Sequence, residues 1–354
     1  MTPRERLEAT LRGELANKVP FTAFVDKLPR GEVERRLRNG GLCLVDRYTP
    51  VHRSVTPHVE REERHRVEDG RRLVRTVYRT PHGELCEVEE SGADGAGRWH
   101  VERLFKGPQD YRRLLSLADD EVYEPDYGTF LRRQETLGHD FFLRPDAGYS
   151  PMHQIVYSIM GIERFAQEWA ERRDEVLRLY EALVANRRRL YPVLAASPAL
   201  LVNYCGNISP EVVGLKRFEE YYLPHLNEFA TLMHESGKLA SVHLDAAVWL
   251  FEELIGISAI DCVEAFTPPP DGDLSVAHAR SVWPDKVLWV NFPTSVHLRP
   301  VAEVEAVTRQ LLREAASGLR FILGITENLP PDRWRESLPA ILRVLNAHGQ
   351  LSRH

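Results

Sequence analysis

Three side chains at the ends of short apolar runs are of the types that bind metal ions. His243 and Asp245 close the run 239–245, and Glu327 closes the run 320–327. One imidazole and two carboxylates suit Zn²⁺, Fe²⁺, Mn²⁺ or Ni²⁺ and leave coordination positions open for water or substrate. We therefore predict a metal site formed by these three residues. The competing interpretation is a hydrogen-bonded core histidine beside a polar pocket that binds an organic ligand directly.

A fourth group, Glu264, closes the run 259–264. It could be a further metal ligand or the base that orients one, so we assign catalytic roles to Glu264 and His243. A bound ion could polarise a substrate oxygen or sulfur, or lower the pKa of a bound thiol, alcohol or water.

Eight apolar runs of strand length position these groups, and polar residues follow each run. Helical patterns alternate with the runs, which favours a parallel sheet. We predict an α/β protein, a (β/α)8 TIM barrel in which the carboxyl ends of all eight strands meet at one mouth. The runs are 19–25, 41–45, 140–144, 199–204, 239–245, 259–264, 286–291 and 320–327.

Four further polar side chains fall where this arrangement has its mouth, and we predict that they bind substrate: Tyr149, His153, Asn207 and Asn291. Packing of the loop is an equal alternative for Tyr149 and His153. Asn207 could instead support the helix that begins after Ser209, the expected N-cap.

The chain has no linker that would divide it, and we predict a single domain over 1–354 with an antiparallel β insertion at about 70–105, after the second barrel strand. Alternating strands there flank a Pro-His-Gly turn.

A first helix should begin at Thr2 and end near Leu15, and a continuous helical pattern covers 210–236. A closing helix should run from about Asp332, the expected N-cap, to Ala347.

Composition excludes several classes of partner. A net charge of −6 and a pI near 6.2 argue against binding to nucleic-acid phosphates. No run approaches the ~18 apolar residues of a membrane span, and the four cysteines form no CxxC pair. We expect reduced thiols in a cytoplasmic protein with a small-molecule substrate.

Four segments resemble the uroporphyrinogen decarboxylase superfamily, which includes corrinoid-dependent methyltransferases. They are MTPRERLEATLRGELANKVPF at 1–21, ISPEVVGLKRFEEYYLPHLNEF at 208–229, HESGKLASVHLD at 234–245 and RFILGITENLPPD at 320–332. The resemblance covers essentially the whole chain and implies a (β/α)8 barrel.

The departures from that pattern narrow the expected activity. The Arg-rich segment typical of the decarboxylases is absent after the first run, so porphyrinogen decarboxylation is not expected. Where the methyltransferases have HxC and LGxxC zinc motifs, this chain has His243-Leu244-Asp245 and Leu323-Gly324-Ile325-Thr326-Glu327. The resemblance therefore implies a metal site in which carboxylates replace both thiolates.

From this resemblance we expect a metal-dependent, methyltransferase-like enzyme that moves a methyl group between a small substrate and a corrinoid. Zinc is the expected divalent metal. Because no DxHxxG motif is present, the corrinoid would arrive on a partner protein. A decarboxylase or lyase acting on a carboxylated substrate, and a non-catalytic ligand-binding barrel, are the alternatives. A homodimer stays open.

Overall fold

The computed structural model describes residues 1–91, 98–244, 247–316 and 318–351. They form two compact units. The first comprises 1–51, 126–148 and 197–354, and the second comprises 52–125 and 149–196. The assignment of 1–354 to a single domain stays a prediction.

The first unit is built on an eight-stranded parallel sheet, and each strand falls within, or within two residues of, one of the eight predicted runs. The order of hydrogen-bonded neighbours is β4-β5-β6-β7-β8-β1-β2-β3. A parallel bridge between Asp146 and Asn203 joins the continuation of β3 to β4, so the sheet curls back on itself in a TIM-barrel-like arrangement. The strands are β1 Phe21–Phe24, β2 Leu42–Asp46, β3 Phe141–Leu143, β4 Leu201–Asn203, β5 Leu239–His243, β6 Cys262–Phe266, β7 Val287–Asn291 and β8 Phe321–Ile325.

Helices connect these strands, as the alternation in the sequence predicts. The α-helices are Pro3–Leu11, Glu32–Asn39, Tyr127–Leu137, Pro210–Val213, Leu215–Tyr221, Leu223–Glu235, Glu252–Ile257, Val276–Val282, Val301–Glu314 and Trp334–His348. Short 3₁₀ helices cover Gly138–Asp140, Trp249–Phe251 and Thr294–Leu298.

Three predicted helix boundaries are wrong. The first helix has the expected capping box between Thr2 and Glu5, but it ends at Leu11 because Gly13 takes a positive φ of 72°. The pattern at 210–236 is three helices rather than one, with Gly214 at φ 71° between the first two. The closing helix begins at Trp334, with Arg333 rather than Asp332 as N-cap.

Side chains from the strands fill the interior of the first unit. Trp289 is fully buried, and its Nε1 donates a hydrogen bond to Thr22 Oγ1 at 2.9 Å. Gly324 lies beside this pair, where a Cβ atom would stand 2.8 Å from Trp289 Nε1. Glycine is therefore needed at this position of β8 for the indole to reach Thr22.

The second unit contains the antiparallel insertion. Its four-stranded sheet comprises Glu60–Glu68, Arg71–Thr80, Gly83–Ser91 and Arg98–Glu102, and a two-stranded sheet pairs His52–Val55 with Val122–Pro125. The helices are Asp110–Asp120, Pro151–His153, Ile162–Glu171 and Arg173–Ala195, with a π-helix at Gln154–Met160. The predicted insertion is present, and it begins before the expected residue 70.

No helix in the described part of the chain is long and apolar enough to cross a membrane.

Candidate functional site

Two polar residues on neighbouring strands form the centre of the candidate site in the first unit. His243 ends β5, Glu264 lies on β6, and the two are direct register partners. His243 Nδ1 lies 2.9 Å from Glu264 Oε2, and Glu264 is completely buried. An ionised carboxylate only accepts hydrogen bonds, so Nδ1 carries the proton and Nε2 is the ring atom directed at a further partner.

A buried arginine lies on the other side of Glu264. Arg144, one residue beyond β3, is 1% exposed, and its Nε lies 2.7 Å from Glu264 Oε1. The N–H does not point along this line, so the contact is a close ion pair rather than an aligned hydrogen bond. Arginine is almost never fully buried without a charged partner, and here the partner is the group that orients His243.

The polar contacts continue around the strand ends. Arg144 Nη1 donates to Asp146 Oδ2 at 3.3 Å. Asn203 Nδ2 donates to the same oxygen at 3.0 Å. Ser241 Oγ donates to Asn203 Oδ1 at 3.0 Å. Together with Glu264, these residues connect the carboxyl ends of β3, β4, β5 and β6. We call this set the buried polar network; its members are Arg144, Asp146, Asn203, Ser241, His243 and Glu264.

Burial alone would raise the pKa of Glu264, because it disfavours the charged form. The Arg144 guanidinium and the hydrogen bond from His243 act in the opposite direction and prevail, so the pKa lies below its ordinary value. Glu264 is therefore a permanent anion near neutral pH. Its role fits the orientation of His243 and not the donation of a proton.

Glu327 lies beyond the end of β8 and faces the other ring nitrogen. Its Oε1 is 3.9 Å from His243 Nε2, and its side chain is 45% exposed. That separation exceeds a hydrogen bond but is within the reach of one ion bonded to both atoms at ~2.0–2.2 Å. The third predicted ligand, Asp245, lies outside the described residues. Among the residues that are described, no three histidine, cysteine or acidic groups form a metal-binding cluster.

The backbone beside these groups is strained. Ala265, the residue after Glu264, has a φ of 61°, and a β-bulge between β6 and β7 falls at the same point. Cys205 and Asn207, which follow β4, have φ values of 69° and 54°. Non-glycine residues with positive φ are uncommon and concentrate at functional sites. The strain therefore supports a site at this end of the sheet.

An aromatic ring and a second arginine complete this end of the first unit. Phe24, the last residue of β1, stacks on His243 with ring centroids 6.4 Å apart. The Arg47 guanidinium lies 4.5 Å from the Phe24 centroid, and Arg47 Nη2 donates to Asp26 Oδ2 at 2.9 Å. Burial would raise the pKa of Asp26, but Arg47 and Lys27 hold it below its ordinary value. Asp26 is thus a second fixed anion.

The structure distributes the predicted substrate-binding residues between the two units. Tyr149 and His153 belong to the second unit, where their ring centroids are 4.9 Å apart. Asn291 belongs to the first unit and is buried. Its Oδ1 accepts from the Thr326 N–H at 3.0 Å. Asn207 precedes the Ser209 cap, which makes no side-chain hydrogen bond to its helix. The substrate-binding roles of all four residues stay predictions.

Sequence reasoning missed Arg144, Ser241, Arg47 and Phe24 as parts of the site. One signal was available for Arg144: it ends the run DFFLR, where an arginine directly after a buried strand needs a charged partner. Nothing comparable in the sequence marks Phe24 or Ser241.

No family model matches this sequence, and no curated protein matches it. Among solved structures, a methyltransferase from Methanosarcina mazei is similar, with a TM-score of 0.60 and 13% sequence identity over 98% of this chain and 99% of that chain. The pyruvate kinase from Pyrobaculum aerophilum has a TM-score of 0.20 and 11% identity over 99% of this chain and 69% of its own. The second likeness is too weak to carry an argument.

At this level of identity, the full-length likeness to the methyltransferase shows a shared fold. The chain therefore has a methyltransferase-like fold built on a curled eight-stranded parallel sheet.

Proposed function

We propose that this chain is a metal-dependent, methyltransferase-like enzyme of the uroporphyrinogen decarboxylase superfamily. The observation that carries the proposal is the orientation of His243, whose Nδ1 is held by Glu264 while its Nε2 faces Glu327. A carboxylate that fixes one ring nitrogen and directs the other outward is the usual support of a metal-ligating histidine. The fold shared with a methyltransferase supports the reaction class.

His243 and Glu327 would hold the metal, with Asp245 as the ligand proposed from the sequence. Zinc suits nitrogen and oxygen donors of this kind. When bound, the ion would act as a Lewis acid on a substrate atom and lower the pKa of a bound thiol, alcohol or water. The methyl group would pass between a small substrate and a corrinoid carried by a partner protein.

The chain's own groups would supply positioning and electrostatics. Glu264 keeps the Nδ1 proton of His243 in place, and Arg144 keeps Glu264 ionised without contact with solvent. Phe24 covers one face of the imidazole. A site whose ligand is fixed in this way needs little reorganisation when substrate binds.

A decarboxylase or lyase is the second candidate, and Arg47 favours it. The Arg47 Nε is buried and has no hydrogen-bond partner among the described residues. A guanidinium with donors to spare suits a substrate carboxylate. In this alternative, Arg47 would bind the carboxyl group that stays and His243 would face the group that leaves.

The test uses zinc-loaded protein with free methylcobalamin as methyl donor and a panel of small thiols as acceptors. The proposal predicts that the methylcobalamin spectrum disappears as the methyl group is transferred. The His243→Ala variant should leave the spectrum unchanged. Glu305→Gln, a change at an exposed ion pair between two outer helices, should leave the rate unchanged. Release of CO₂ from carboxylated substrates without methyl transfer would favour the lyase. Neither reaction, with intact ligand binding, would favour a non-catalytic barrel.

A further inference from the structure

The second unit contains a cavity of about 600 Å³. That volume is in the range of cavities that bind small organic ligands. All of its lining residues belong to the second unit, and they include Tyr149, one of the predicted substrate-binding residues.

One wall of the cavity is a polar face of the four-stranded sheet. Tyr78, Glu87, Glu89 and His100 line it, and Glu89 and His100 are cross-strand partners. Glu87 and Glu89 are two residues apart on one strand, so both carboxylates stand on the same face. The Tyr78 hydroxyl donates to Glu87 Oε1 at 3.2 Å. The strand pairing thus collects two carboxylates, a phenol and an imidazole at one wall.

The helices supply an apolar wall. Leu114, Leu117, Ile159, Leu179 and Leu183 line that part of the cavity. A ligand that satisfies both walls has a polar head and an apolar body, since burying a polar group without a partner costs free energy.

The charged residues that line the cavity determine which ligand head group it accepts. Three lining residues are carboxylic acids, Glu87, Glu89 and Glu121, against one arginine, Arg61. Arg61 already forms an ion pair with Glu63 and lies 6.0 Å from the Tyr78 ring. Glu87 and Glu121 alone outnumber Arg61, so the lining favours a cationic head group over an anionic one.

His100 and Glu87 lie close together without a hydrogen bond between them. His100 Nδ1 is buried without a hydrogen-bond partner among the described residues. It lies 3.8 Å from Glu87 Oε2 and 3.9 Å from Glu89 Oε1. These distances are too long for hydrogen bonds, and a donor placed between His100 and Glu87 would bond to both. Burial and the neighbouring Glu89 raise the pKa of Glu87, and a cation placed beside the pair would relieve that repulsion.

We propose that this cavity binds an amphipathic organic cation, a protonated amine with an apolar body. The ammonium group donates hydrogen bonds to Glu87 and Glu89, and the neutral His100 ring accepts a third. The leucines of the helical wall enclose the apolar body.

Isothermal titration with three probes that share a phenylethyl group and differ in the head group tests the proposal: 2-phenylethylamine, 2-phenylethanol and 3-phenylpropionate. We expect saturable 1:1 binding of the amine, roughly tenfold weaker binding of the alcohol, and no binding of the carboxylate, because charge-assisted hydrogen bonds are the stronger ones. No amine binding at millimolar concentration, equal binding of all three probes, or preference for the carboxylate would each overturn the proposal.

Glu87→Gln and Glu89→Gln should each weaken amine binding by roughly tenfold. Glu84→Gln is the matched control, because Glu84 is on the same strand, points to the opposite face and is exposed beside Arg79. Thermal melting checks that the variants fold, and the probe comparison on the unmodified protein decides the question if they do not. An effect of Glu84→Gln equal to that of Glu87→Gln would contradict the proposed location.

Discussion

Replacing Arg144 by Met removes the cation that keeps Glu264 ionised in a fully buried position. At 2.7 Å and an effective dielectric constant of about 20, the attraction between the two charges is ~6 kcal/mol. Desolvation of both groups offsets part of it. Loss of one partner of a buried pair costs about 3–5 kcal/mol, because the other charge stays buried and uncompensated. We therefore expect Arg144→Met to lower the free energy of unfolding by an amount in that range.

A double-mutant cycle separates this pair from the rest of the buried polar network. Glu264→Gln keeps a carbonyl oxygen for His243 Nδ1–H but leaves Arg144 with only the 3.3 Å contact to Asp146, so it should cost a similar amount. The double variant buries neither charge of the pair. Its loss should be smaller than the sum of the single losses, with a coupling energy of about 3 kcal/mol. Urea unfolding of the four proteins at neutral pH measures it.

The ion pair of Arg343 with Glu305, at 3.0 Å on the surface, is the control for this cycle. Its coupling energy should stay below about 1 kcal/mol, because exposed pairs are screened by solvent. A coupling energy of Arg144 with Glu264 within about 0.5 kcal/mol of zero, or equal to that of the surface pair, would refute a strong buried ion pair.

Three further changes test other parts of the structure. Burial lowers the pKa of His297 to about 4. Between about pH 6.5 and 4, the unfolded chain therefore binds a proton that the folded chain does not. The free energy of unfolding should fall by on the order of 3 kcal/mol as the pH drops through that window. His297→Asn should remove this part of the acid dependence in urea unfolding at pH 7 and pH 5, and an unchanged dependence would be inconsistent with a buried neutral imidazole. Gly324→Ala should cost about 1–3 kcal/mol, since the new Cβ would stand 2.8 Å from Trp289 Nε1; a stable variant with unaltered tryptophan fluorescence would count against that close approach. Ala265→Gly should stabilise the protein by up to about 1 kcal/mol, because relief of the left-handed conformation outweighs the backbone entropy of glycine; a lower melting temperature would argue against strain at this residue.

The strands of the eight-stranded parallel sheet could be predicted from the sequence because parallel strands buried on both faces are short, continuous apolar runs. VLWVN and FILGI are of this kind, and both are completely buried strands. The first insertion strand, EREERHRVE at Glu60–Glu68, is mostly exposed and charged. It carries no apolar alternation, so its place in the sheet depends on pairing with Arg71–Thr80. That pairing is not visible in the strand's own residues.

The candidate site was predictable as a set of strand ends but not as a set of contacts. Because β5 and β6 are neighbours, the closeness of His243 and Glu264 follows from their positions at the strand ends. The choice between ligand and orienting base for Glu264 depends on Arg144, which reaches it from β3, on the far side of β4 and β5. Such a contact is set by side-chain direction inside a curled sheet, which residue spacing along the chain does not encode.

Nothing in the sequence indicates that Tyr149 and His153 belong to one compact unit, and Asn207 and Asn291 to the other. The chain passes from the first unit to the second between Gly148 and Tyr149. The π-helix that follows His153, at Gln154–Met160, has no distinct apolar period that would set it apart from an ordinary helix.

Zinc-edge X-ray absorption on protein purified without chelator and loaded with one equivalent of zinc tests the central claim most directly. We predict coordination by nitrogen and oxygen alone, because the proposed ligands are His243, Asp245 and Glu327. We also predict loss of zinc binding in His243→Ala and weaker binding in Glu327→Gln. A sulfur shell at ~2.3 Å, or equal zinc affinity in His243→Ala and the unmodified protein, would contradict a metal site at the carboxyl ends of β5 and β8.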